Sequence, residues 1–164
     1  MKICYNDCKI MERHKGFTLI EILLVVGITA ILGTTLFLFS YGIKVQKDLD
    51  GAVNSVAAVV RDAQQKSITQ QDMKKWGVHL ERNSIQIYDL FRDVHLAANI
   101  LAQYSLPPSL EFDGSNWGGS SKEIIFTQVD GLPTSGENVI IIRIINEPNS
   151  SRQVTISANG TVSY

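Results

Sequence analysis

Between Ile22 and Ile43 the chain carries 22 consecutive residues without a charge. Beyond that run the apolar positions thin to a stripe. Leu49, Val53, Val56, Val60 and Ser67/Ile68 recur at spacings near four and three, which is one face of a helix. Asp48, Asp50, Arg61, Asp62, Gln65 and Lys66 fall mostly on the other faces. No proline stands between Phe17 and Asp72. The pattern predicts one helix from about residue 18 to about residue 71. Gly51 sits inside it at a cost of about 1 kcal/mol relative to Ala. The stripe covers too few heptads for a coiled coil.

From Trp76 the period changes to two. Trp76, Val78 and Leu80 alternate with Gly77, His79 and Glu81, and Ser84–Tyr88 follows a polar turn at Arg82-Asn83. Residues 89–104 read equally as a short helix or an irregular strand. Leu106-Pro107-Pro108 ends that region and opens a strand at Ser109–Phe112. Residues 113–121 are an exposed loop by composition. Strands are expected at Glu123–Val129, Asn138–Ile145 and Gln153–Ser157, with turns at Asp130–Pro133 and Pro148–Ser151. Val139-Ile140-Ile141-Ile142 is a continuous apolar run, as in a buried central strand. Asn159-Gly160 turns the chain into Thr161–Tyr164. A long helix followed by antiparallel strands is an α+β architecture: an N-terminal helix, its first half transmembrane, packed on a C-terminal antiparallel β-sheet domain.

Charge and cysteine usage change this picture at the N-terminus. The formal net charge of −1 supplies no global basic field. Residues 1–16 nevertheless carry a net +2, from Lys2, Lys9, Arg13 and Lys15 against Asp7 and Glu12. A 22-residue helix spans about 33 Å, close to the hydrocarbon thickness of a bilayer. Positive charge before it and mixed charge after it place the N-terminus in the cytoplasm. The apolar run is too long for an ordinary secretory signal, and Ile28-Thr29-Ala30 is a poor cleavage site. Cys4 and Cys8 read as two cytoplasmic thiols in the leader. Nothing after Gly16 can form a disulfide or a cysteine metal site. A plain membrane anchor accounts for the run, but not for Gly16-Phe17 or for Glu21. An acid at mid-membrane costs roughly 2.5–3.5 kcal/mol on insertion scales.

Lys15-Gly16-Phe17-Thr18-Leu19-Ile20-Glu21, followed by an apolar run with Gly27 and Gly33, resembles the cleavage and methylation motif of type IV pilin-like proteins. The resemblance implies the type IV pilin fold and cleavage between Gly16 and Phe17 by prepilin peptidase. It further implies N-methylation of the new Phe17 amine and an assembly role for Glu21 against the Phe17 amine of a neighbouring subunit. The proline that many relatives carry deep in the apolar segment, near Leu38, is not present. Gly33 and Gly42 remain as soft points. Arg61-Asp62-Ala63-Gln64, Trp76-Gly77-Val78-His79-Leu80, Ile124-Ile125-Phe126, Asp130-Gly131-Leu132-Pro133 and Val154–Val162 resemble the narrower group of GspH- and FimT-type pseudopilins and minor pilins. FimT-like DNA-uptake pilins carry an arginine-containing tail after the final glycine. Here Gly160 is followed by Thr161-Val162-Ser163-Tyr164.

The expected organisation is a leader at 1–16, a transmembrane and filament-core segment at 17–43, an amphipathic segment at 44–72 and a β-rich domain at 73–164. The expected function is a structural subunit, a minor pilin or pseudopilin, of a type IV pilus or type II secretion pseudopilus. The alternative is a DNA-binding minor pilin for natural transformation. Expected partners are prepilin peptidase, other pilin subunits, an inner-membrane assembly platform and membrane lipid. The β domain is expected outside the cytoplasm, first tethered to the inner membrane and then in the filament. No enzyme motif, cofactor or metal site is expected. His79 and His95, 16 residues apart without an i,i+4 partner, read as exposed strand histidines. Glu111, Asp113 and Asn116 do not follow the order of a calcium loop and read as solvated. Lys66, Lys74 and Lys75 beside Trp76 read as a solvated helix end rather than a nucleic-acid patch.

Overall fold

The computed structural model describes residues 16–164, with side chains for all of these except 37–41 and 148. Cys4, Cys8 and His14 therefore lie outside the described residues. Helix α1 spans Leu19–Ile68. It crosses a division of the chain into two compact units, one ending at Tyr41 and one spanning Gly42–Tyr164.

In the first unit every described side chain from Gly16 to Leu36 is exposed, and Leu19–Leu36 is long and apolar enough to cross a membrane. The hydroxyls of Thr29, Thr34 and Thr35 donate to helix carbonyls three or four residues back, at 2.9–3.3 Å. These three hydroxyls are thus satisfied inside the segment, as a hydrocarbon environment demands.

In the second unit the helix has a distinct inner face. Leu49, Ala52, Val53, Val56, Ala57, Val59, Val60, Ala63 and Ser67 are buried. These are the stripe positions plus their flanks, including the small residues that let a helix lie close on a sheet. Eight strands follow: β1 Trp76–Arg82, β2 Gln86–Arg92, β3 Ile100–Ser105, β4 Leu110–Asp113, β5 Ser121–Phe126, β6 Asn138–Ile144, β7 Glu147–Ile156 and β8 Val162–Ser163. They form two antiparallel sheets, ordered β3-β2-β1-β5 and β4-β6-β7-β8. Alternate residues of both sheets, among them Trp76, Val78, Leu80, Ile124, Phe126, Phe112, Ile140, Ile142 and Val154, join the helix face in one core. Phe112 N donates to Gln86 Oε1 (3.2 Å), and Lys122 Nζ donates to Val139 O (3.2 Å), so side chains tie one sheet to the other.

Several boundaries differ from the sequence reading. The helix stops at Ile68 because Gln70, Asp72 and Met73 adopt left-handed backbone, with φ of 53°, 58° and 52°. Ser67 locks this exit. Its hydroxyl accepts from Trp76 N (2.9 Å) and faces Phe126 O (3.4 Å). Strand β2 continues to Arg92, then Asp93 turns at φ 65°. The ambiguous segment resolves into that turn, a short 3₁₀ turn at Ala97–Asn99 and β3. Strand β5 starts at Ser121, two residues before the expected Glu123, and ends at Phe126, three residues before the expected Val129, because Val129 and Gly131 take positive φ. The expected turn at Pro148–Ser151 instead lies inside β7, and the reversal falls at Ile145-Asn146 with a register shift beside Ile144. Pro148 sits near the strand start, where its missing N–H is tolerated. Strand β6 is central, but only Asn138, Ile140, Ile142 and Ile144 are fully buried. Its other face is half-covered, so the four apolar residues in a row do not mean burial on both sides.

Candidate functional site

Gly16, Phe17 and Thr18 lead into α1 without regular structure. Thr18 caps the helix. Its Oγ1 accepts from Glu21 N at 3.3 Å, and its carbonyl accepts from Glu21 N and Ile22 N at 3.1 and 3.3 Å. Thr18-x-x-Glu21 thus has the spacing of a capping box, with the threonine half of the exchange made. The same four-residue signal is legible in the sequence.

Phe17, Glu21, Ile22, Val25 and Val26 line one shallow groove of about 290 Å³. Phe17 is 79% exposed, and a Cβ added at Gly16 would meet nothing within 4 Å among the described residues. The Glu21 carboxylate has no ion pair or hydrogen bond among the described residues. The fold therefore brings the aromatic residue, the acid and an apolar wall together, and nothing described covers them.

The end of the helix holds a second constellation. Gln64 Nε2 donates to Gly131 O (2.9 Å) and Gly160 O (2.8 Å). Arg61 Nη2 donates to Val162 O (2.9 Å), and its guanidinium lies 4.9 Å from the centre of the Tyr164 ring. These are the Arg61–Gln64 segment and the two turns quoted above. They are structural, clamping the Asp130–Pro133 turn and the terminal hairpin to the helix.

The remaining candidates resolve individually. Arg143 Nε pairs with Glu111 Oε1 at 2.7 Å, and Arg143 Nη1 lies 3.8 Å from Asp113 Oδ2, so a guanidinium serves the acids a calcium loop would use. The Ser115 backbone N–H holds the Asp113 carboxyl below its ordinary range. Lys66 pairs with Asp62, and Lys74 pairs with Asp93 at 2.7 Å, which removes two cations from the basic group near Trp76. His79 and His95 are not exposed strand histidines. His79 is 8% exposed, and His95, from the segment after β2, stacks on it.

Residues 11–37 match the family described as "Prokaryotic N-terminal methylation motif". Two crystal structures of the type IV minor pilin FimU of Pseudomonas aeruginosa (strain PAO1) share the fold. One, in space group P65, has 15% identity and a TM-score of 0.52 over 70% of this chain and 90% of that one. The other, in space group P21, has 14% identity and a TM-score of 0.54 over 71% and 87%. The chain has a type IV pilin-like fold. Among curated proteins no sequence matches it. The methylation-motif match covers Gly16, Phe17 and Glu21, and the shared fold is the helix with its antiparallel sheets.

Proposed function

We propose that this pilin-like protein is a non-catalytic filament subunit, a minor pilin of a type IV pilus or a pseudopilin of a type II secretion system. It starts as a single-pass inner-membrane precursor with its N-terminus in the cytoplasm and its β domain on the far side. Prepilin peptidase cuts between Gly16 and Phe17, and the new Phe17 amine is methylated. The FimU structures carry the description minor pilin, which supports that role over a major one.

One observation carries the proposal. An apolar helix face, exposed along Leu19–Leu36, has a single acid at its mouth, and that acid shares a groove with Phe17. Packed among other helices, such an acid needs a cation or must take up a proton. The Phe17 ammonium of a neighbouring subunit meets that need. Two unit charges about 4 Å apart attract by roughly 4 kcal/mol at an effective dielectric near 20, before desolvation is subtracted. Much of that gain offsets desolvation, so the pair sets register more than net stability. The assembly platform and lipid hold the helix until neighbours replace lipid around it.

The test compares Glu21→Ala with the native chain in the sheared filament fraction and in the membrane fraction. The reading expects a processed subunit that stays in the membrane. Native recovery of Glu21→Ala in filaments contradicts it.

A further inference from the structure

The outer face of the first sheet carries a polar cluster built on β1, β2 and β5. Glu123, His79 and Asp89 occupy one rung across β5, β1 and β2, because His79 pairs in register with both acids. Their side chains project to the side opposite Val78 and Leu80. The chain then leaves β2 through Asp93 and brings His95 back over the rung. The two imidazoles stack at 3.7 Å with planes 8° apart, and Phe91 meets the His95 ring edge-on at 5.3 Å. His79 Nδ1 lies 3.2 Å from Glu123 Oε1, and His95 Nε2 lies 3.3 Å from Asp89 Oδ2. Ligand atoms of His79, His95 and Glu123 all lie within 4.8 Å of one another.

A separate observation points to a missing cation. The Asp89 side chain is 3% exposed, and its Oδ1 is buried without a hydrogen-bond partner. Among the described residues no lysine or arginine pairs with it. A buried carboxylate needs compensating charge. A divalent ion would balance the two carboxylates, Glu123 and Asp89, which flank His79 on the same rung.

We propose that this cluster is a metal site for a first-row divalent ion, zinc foremost, with His79, Glu123 and His95 as ligands. Asp89 is the positioning residue, holding one ring nitrogen of His95 so that the other faces the ion. Two imidazole nitrogens with a carboxylate suit zinc and its neighbours rather than calcium or magnesium, which prefer oxygen throughout. Ligand atoms on a tetrahedral zinc lie about 3.3 Å apart, given bonds near 2.0–2.2 Å. The His79–Glu123 separation already matches this. Closing the third ligand takes a shift on the order of 1 Å from the His95 segment, which lies outside the strands. The bound ion would fasten that segment to β1 and β5. Spacing along the chain gives no hint of such a site, because antiparallel pairing rather than an i,i+4 repeat assembles it.

Calorimetric titration of zinc chloride into the tag-free full chain in detergent tests this. Cys4→Ser, Cys8→Ser and His14→Gln are introduced throughout to remove competing ligands. One zinc per chain is expected, with cobalt(II) giving the absorption of a nitrogen and oxygen site. His95→Ala and Glu123→Gln should each weaken binding at least about tenfold, and Asp89→Asn by about 10–100-fold. Glu123 is half-exposed, so Glu123→Gln keeps the fold, and the fluorescence of buried Trp76 and Trp117 checks each variant. No uptake at about 100 µM zinc overturns the site, as does affinity unchanged in both His95→Ala and Glu123→Gln.

Discussion

Replacing Gln64 with Ala removes one side chain that serves two turns 29 residues apart, at Gly131 and Gly160. Each lost bond contributes about 0.5–1.5 kcal/mol, so the pair amounts to about 1–3 kcal/mol. The carbonyls are part-buried, and water can reach them only by loosening the turns. Both turns are held in left-handed glycine conformations, φ 64° and 83°, with Gln64 and Ile68 packed against them. For a domain of this size the loss corresponds to a fall in Tm of roughly 4–15 °C. Gln65→Ala is the matched control. Gln65 is exposed, the change in helix propensity is identical, and the expected effect is within about 0.5 kcal/mol. Fluorescence of Trp76 and Trp117 follows unfolding of the β-bearing unit, since both tryptophans are buried in it. Equal Tm values for Gln64→Ala and Gln65→Ala would refute the clamp.

Gly77→Ala places a Cβ 2.8 Å from Ile124 O and 2.8 Å from Phe91 Cζ, and should cost about 1–3 kcal/mol by thermal unfolding. Phe91→Leu in the same chain should recover part of that loss, because the ring gives way and the backbone oxygen does not. Burial lowers the Lys122 pKa, so the folded state binds fewer protons and stability rises with pH toward the ordinary lysine value near 10.4. Lys122→Met should therefore raise Tm at pH 7, with the gain shrinking as pH climbs toward that value; a pH-independent difference would contradict it. Glu21→Ala should leave the tryptophan-monitored Tm unchanged while filament recovery drops at least about tenfold, the size expected if roughly 1.4 kcal/mol of the ion pair survives desolvation.

The helix and most strands were legible because their physics is local. Leu49, Val53, Val56 and Val60 repeat at helical spacing, and each lies in the core. The Trp76–Leu80 alternation marks the face that joins the core, although Gly77 and His79 on the other face are buried too. The misread boundaries are where the backbone leaves the common regions. Asp72, Asp93 and Val129 adopt positive φ, which no composition rule assigns to aspartate followed by Met or Val, or to a valine. Phe91 falls in the segment 89–104, which reads equally as a short helix or an irregular strand. It is fully buried on the outer face, filling the space left by Gly77, so its burial depends on a strand pairing the period cannot specify. The histidine cluster was hidden by the same logic. His79, Asp89, His95 and Glu123 are up to 44 residues apart, and pairing alone brings them together. At the N-terminus the methylation motif is legible because Gly16, Phe17 and Glu21 lie within six consecutive positions, inside the matched residues 11–37; the Thr18 cap only explains how the helix begins among them.

The central claim is that Phe17 becomes the first residue of a filament subunit. The intact mass of the chain recovered from its native membrane tests this most directly. The account predicts a chain lacking residues 1–16 and carrying one added methyl group on the Phe17 amine. A chain that retains Met1, or one cut after Ala30, would contradict it.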